Sequence, residues 1–171
     1  MNMKLWGPFS RFGAVIAAAA FAIDQLHKWW MLYVYDIGAR EAVTITRFFD
    51  LVMVWNTGIS YGLFPQDSDL GRYVLLAIML TAVTCLILWL AVCDGKLAAA
   101  ALGLVIGGAL GNVTDRMVYG KVADFFSFHA FGFHWYVFNL ADVAIVAGVG
   151  VLLYDSFSNR RSAPSADGED V

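Results

Sequence analysis

GGALGNVTDRMVYGKVADFFSFHAFGFHWYVFNLAD, residues 107–142, sets Asp115, Arg116, Asp124, Asn139 and Asp142 beside segments that are otherwise as apolar as lipid. A charged side chain within a membrane span costs at least ~2.5–3.5 kcal/mol on insertion scales, so such groups are normally paired, wetted or functional. The aspartates are therefore expected to converge on one catalytic site, and the rest of the chain to scaffold it.

The composition agrees with a membrane scaffold. Hydrophobic residues make up 60% of the chain and charged residues 15%, with a mean hydropathy of +0.68. Soluble domains carry about 25% charged residues. The net charge of −3 and the lack of a sustained basic run argue against a nucleic-acid partner. Cys85 and Cys93 share one apolar run, where a disulfide within a single helix is geometrically excluded, and they read as packing residues.

The expected fold is an all-α integral membrane protein. It has four transmembrane helices, at residues 12–35, 73–93, 97–114 and 135–154, and a small extramembrane β element after the first helix. The basic start and Ala-rich run of the first segment resemble a cleavable signal peptide. Its length favours a span, because residues 12–35 reach ~36 Å as a helix and a hydrocarbon core is ~30 Å thick. Within it Asp24 and Lys28 stand at i and i+4, the spacing of a structural ion pair. Between residues 36 and 72 charges return, Leu51–Trp55 is rich in strand formers, and Asn56-Thr57-Gly58 reads as a turn.

Asp94-Gly95-Lys96 is a short connector, so the second and third spans run antiparallel. Gly103, Gly107 and Gly111 form a stripe along the third span that lets a neighbouring backbone approach closely. Asn112, Asp115 and Arg116 follow on one face at its end. Residues 119–134 read as an aromatic interfacial connector. The fourth span holds Asn139 and Asp142 in its first two turns. One domain covers residues 1–157, and the polar stretch 158–171 reads as a disordered tail. Four spans put both termini on one side and the polar groups near the other. Lys and Arg do not orient the protein, since five fall on each side.

Two carboxylates held about 3 Å apart cannot both ionise comfortably. They share a proton, one acting as general base towards a water and the other as general acid. Asp115 precedes Arg116, a natural partner that would keep it ionised and structural. Asp124 and Asp142 lack an adjacent cation and are the better pair. A proton relay or small transporter is the rival class, but its acidic groups would be spread through the membrane depth. A third reading is an assembly factor whose polar residues only join helices. His27, His129 and His134 have no Ser or Cys at a telling spacing, and no metal-ligand motif is present.

Five ordered blocks resemble the lipoprotein signal peptidases, or signal peptidase II, of bacteria. They are DQLHK at 24–28, NTGISYG at 56–62, GGALGNVTDR at 107–116, VADF at 122–125 and FNLAD at 138–142. The resemblance implies an inner-membrane aspartic endopeptidase. Such an enzyme removes the signal peptide from diacylglyceryl-modified prolipoproteins, cutting just before the lipidated cysteine. It implies Asp124 and Asp142 as the catalytic dyad, and Asn56, Gly58, Asn112, Arg116, Asn139 and Ala141 as residues supporting the site or binding substrate. Asp24, Lys28 and Asp115 are implied as structural polar residues. It further implies no metal or other cofactor, membrane lipid as surroundings, a sufficient monomer, cytoplasmic termini, and a site near the periplasmic face formed with segments 36–72 and 119–134. Ser60, Tyr61 and Ala123 depart from the usual family residues without removing a catalytic group.

Overall fold

The computed structural model describes residues 6–58, 69–134 and 136–161. Ser60, Tyr61, Trp135 and the terminal stretch 162–171 lie outside them. Four α-helices are present among the described residues: α1 Ser10–Trp29, α2 Asp69–Val92, α3 Lys96–Tyr119 and α4 Leu140–Arg161. Three stretches, Asp69–Val92, Lys96–Tyr119 and Leu140–Ser158, are long and apolar enough to cross a membrane. The first helix differs because Arg11, Asp24 and Lys28 interrupt it, and it continues through a π-helical turn at Trp30–Val34.

α3 is the central helix. Its Gly103 and Gly107 sit so close to the carbonyls of Gly13 and Ala17 on α1 that a Cβ at either would collide with that backbone. On its other side Gly108 meets the carbonyl of Ala141 at the start of α4. Lipid offers no hydrophobic drive for joining helices, so close backbone packing does that work. Ala17, Leu90, Ala99, Leu102 and Ile106 form the buried apolar core between α1, α2 and α3. The Ser10 hydroxyl, donating to the Leu90 carbonyl at 3.0 Å, ties the start of α1 to the end of α2.

Four strands form one antiparallel sheet in the order β1-β2-β3-β4: β1 Val43–Thr46, β2 Phe49–Asn56, β3 Val122–Ala130 and β4 Phe133–His134. The expected connector at 119–134 is thus a β-hairpin. Its pattern hid the strand, because Val122 to Phe125 are all buried and show no alternation between apolar and polar residues. β2 is longer than the expected 51–55, and it pairs with β3 so that Val54 faces Asp124 and Asn56 faces Val122. Met31, Ile37, Ala123 and Phe125 fill the space beneath the sheet.

α4 begins at Leu140 rather than 135. Asn139 and Asp142 explain the boundary by capping each other: the Asp142 N–H donates to Asn139 Oδ1 at 3.0 Å, and the Asn139 N–H donates to Asp142 Oδ2 at 3.2 Å. This is the reciprocal arrangement of a capping box, with aspartate in the third position. The far end of α4 runs to Arg161, into the stretch expected to be tail.

Candidate active site

Strand pairing and the α4 cap set the two carboxylates of interest. Asp124 lies on β3 and is 1% exposed. Its Oδ1 accepts from Asn139 Nδ2 at 2.6 Å, and its Oδ2 accepts from Asn56 Nδ2 at 3.2 Å. The Asn56 amide is oriented by its own turn, since Asn56 Oδ1 accepts the Gly58 N–H at 3.0 Å and leaves the NH₂ for Asp124. Burial, and then the nearby negative charge of Asp142, push the Asp124 carboxyl up to about 7.

Asp142 is half-buried on the first turn of α4 and accepts three hydrogen bonds. The donors are Asn112 Nδ2 at 2.9 Å, Tyr136 Oη at 3.2 Å and the Asn139 N–H. Asn139 therefore touches both acids, through its side chain on one and its backbone on the other. A buried acid inclined to hold a proton thus stands near a second, half-buried carboxyl group that is held by three donors, an arrangement suited to acid–base chemistry on a single water.

Beneath this pair lies a second polar layer. Lys28 Nζ is 2.9 Å from Asp24 and 2.8 Å from Asp115, and all three residues are at most 3% exposed. The i, i+4 pair expected in the first helix is thus one half of a triad completed from α3. Lys28 also donates to Asn112 Oδ1 at 3.2 Å, which accepts from Asn139 Nδ2 at 3.1 Å as well. This fixes the Asn112 amide with its NH₂ towards Asp142. Asp24 Oδ1 accepts the Ala141 N–H at 2.9 Å and anchors the start of α4. Asp115 Oδ2 accepts the Ala123 N–H at 3.2 Å and anchors β3 next to Asp124. Gly111 is required here because a Cβ would occupy the position of Asp24 Oδ2.

The expected partnership of Asp115 with Arg116 is replaced by this triad. Adjacent residues on a helix point about 100° apart, and the lysine of α1 sits on the Asp115 side. Arg116 instead donates to the carbonyls of Gly58 and Asn112, closing the turn after β2 against α3. Asn56, Asn112 and Asn139 bond the two acids directly, whereas Gly58 acts on Asn56 and Arg116 through its backbone and Ala141 gives its N–H to Asp24.

Two residues escaped the sequence reading. Gln25 Nε2 lies within 3.3 Å of Asp24 Oδ2, Asp115 Oδ1 and the Gly111 carbonyl. An amide inside an apolar helix was a usable signal for it. Tyr136 had none, being one aromatic among many. Two cavities open at the site. One of about 280 Å³ is lined by Val54, Asn56, Gly58, Asp124 and Tyr136. The other, of about 260 Å³, is apolar along Leu75, Ile78, Met79 and Ile145 and polar at Asn56, Asn112, Arg116 and Asp142. Among the described residues no three His, Cys, Asp or Glu side chains are grouped as a metal site requires.

The fold is shared with a bacterial membrane enzyme solved by the in meso method at 2.3 Å resolution. That likeness has a TM-score of 0.72 and 22% identity, and covers 100% of this chain and 99% of the other. A second bacterial membrane enzyme, solved by the same method at 1.9 Å, gives a TM-score of 0.66 at 24% identity, over 91% of this chain and 97% of the other. Residues 16–158 match the family described as Signal peptidase (SPase) II. The lipoprotein signal peptidase of Nitrobacter hamburgensis is 57% identical over 157 residues, 90% of this chain and 96% of that protein. That of Methylocella silvestris is 52% identical over 151 residues, 88% of each. The chain belongs to the signal peptidase II family, a family of proteases.

Proposed function

We propose that Asp124 and Asp142 are the general acid and general base with which this signal peptidase removes signal peptides from prolipoproteins. The observation that carries the assignment is Asn139, which binds both carboxylates and makes one unit of the α4 cap and β3. Asp142, solvated by three donors, takes a proton from a water as that water adds to the scissile carbonyl. Asp124 gives its proton to the carbonyl oxygen. Collapse of the tetrahedral intermediate breaks the C–N bond, and the leaving nitrogen takes a proton from the pair.

The substrate in this reading is a diacylglyceryl-modified prolipoprotein cut just before its lipidated cysteine. The cavity that is apolar along Leu75, Ile78 and Ile145 and polar at Asp142 suits a lipid-bearing residue presented from the bilayer. α1 is the fourth span: its charged triad is satisfied internally, so it carries Asp24 and Lys28 into the membrane without an unpaired charge. Both termini are then cytoplasmic, the carboxylates lie near the periplasmic face, and one chain in membrane lipid suffices.

The test compares cleavage of a lipid-modified prolipoprotein with its unmodified form by the wild-type enzyme and by Asp142→Asn. The expected result is preference for the lipidated substrate and a loss of roughly 10²–10⁴-fold in the variant, the usual contribution of a general base. Normal turnover by Asp142→Asn would sink the acid–base assignment.

A further inference from the structure

The two hairpin tips at the outer end of the sheet carry aromatic rings that the active site does not use. Ala130 pairs with Phe133, so Phe131 and Gly132 form a two-residue loop, and both have positive φ, at 51° and 81°. That is the signature of a type I′ turn, whose first position favours Asn, Asp or Gly and disfavours a bulky side chain. The phenylalanine there is fully exposed, at 101%. Phe48, in the β1–β2 turn, has its ring centroid 6.5 Å from that of Phe131, and the Arg47 guanidinium stacks 4.4 Å above Phe48. Phe133, at 64% exposed, extends the same patch.

The height of the sheet indicates what covers these rings. Phe126 of β3 is 5.3 Å, ring to ring, from His27 of α1, and it exchanges backbone hydrogen bonds with Phe138 just before α4. β3 is therefore tied at Phe126 to the last turns of α1 and to the residues just before α4. Near that contact α1 exposes Leu26 and Trp29, side chains suited to lipid. Arg47 is the single formal charge in the tip segments 46–49 and 130–133, a cation among aromatics, which is the composition of a membrane interface.

We infer that the Phe48/Phe131 hairpin tips are an interfacial anchor that seats the sheet in the lipid headgroup and upper acyl region of the leaflet facing the active site. Phe131 and Phe48 enter the leaflet, and Arg47 meets the lipid phosphates. The anchor holds β2 and β3, and with them Asn56 and Asp124, at a constant depth relative to the helices.

The test uses the full chain in phosphatidylethanolamine/phosphatidylglycerol vesicles, with an environment-sensitive fluorophore on Phe131→Cys in a Cys85→Ser background. Glu41→Cys in the same background is the water reference, and the label on native Cys85, exposed on α2, is the lipid reference. The inference expects the probe at 131 to be quenched by brominated lipid and shielded from iodide, as at Cys85, with the reverse at 41. Iodide access at 131 equal to that at 41 overturns it. Shielding at 131 that appears only when a prolipoprotein is added also overturns it, assigning the patch to substrate. In Phe131→Asn, which keeps the turn with a residue that favours it, a probe at Phe133→Cys should become more accessible to iodide, and an unchanged probe removes Phe131 from the anchor. If the Cys85 probe itself is open to iodide, the spanning assignment fails instead.

Discussion

Replacing Asp124 by Asn is expected to stabilise the protein while silencing it. Burial raises the Asp124 carboxyl from 3.8 to about 7, so the folded protein holds this proton more tightly than the unfolded chain does. Below pH 4 the carboxyl is protonated in both states and costs nothing. Between pH 4 and about 7 the unfolded chain gives up this proton while the folded state keeps it, so stability falls across that window and levels off above it, where the folded state carries a buried anion. The penalty for carrying that buried charge is on the order of 4 kcal/mol. The neutral amide of Asp124→Asn would avoid that penalty, and its oxygen would still accept from Asn139. Its NH₂, however, would face the NH₂ of Asn56, whose oxygen is held by the Gly58 N–H. One lost hydrogen bond costs ~1 kcal/mol, leaving a net gain of ~3 kcal/mol above pH 7 and a small loss below pH 4. The assay is thermal unfolding in detergent, followed by tryptophan fluorescence from pH 4 to 9, beside cleavage of lipidated prolipoprotein. Equal unfolding temperatures across that range would refute the burial argument. Normal cleavage by the variant would refute the role of the carboxyl.

Other outcomes follow from the same contacts. Wild-type kcat should fall as pH rises through about 7 and Asp124 loses its proton, an activity profile that a pH series in vesicles records. Lys28→Met leaves Asp24 and Asp115 buried without their cation, and unfolding measurements should show a loss of ~3–5 kcal/mol, the cost of breaking a buried pair. Tyr136→Phe removes one donor to Asp142 and should lower kcat by roughly 10-fold, since a lost hydrogen bond costs up to ~1.5 kcal/mol, as steady-state cleavage kinetics would show.

The helices were legible because hydropathy and length are local properties, and so were the Asp24–Lys28 pair and the Asn56–Gly58 turn, whose partners lie within four residues. Asp115 was expected to take its neighbour Arg116 as cation, and that reading was misplaced. Its cation comes from α1, a helix distant in sequence, because the Gly103/Gly107/Gly111 face of α3 draws α1 into backbone contact and turns Lys28 towards it. Strand β3 was hidden because a strand buried along several successive residues loses its period of two.

Residues 107–142 thus determined by themselves which chemical groups were present and that carboxylates stood among segments as apolar as lipid. Only the tertiary structure decided how those groups are used. Pairing of β2 with β3 brings Asn56 to Asp124, and the cap at Asn139 aims Asp142 at Asn112 and Tyr136. The Asp24–Lys28–Asp115 triad anchors both carrying elements through the N–H groups of Ala141 and Ala123. These contacts join residues far apart in the chain, and their partners are set by which helix faces can approach, a property that no local pattern of residues contains.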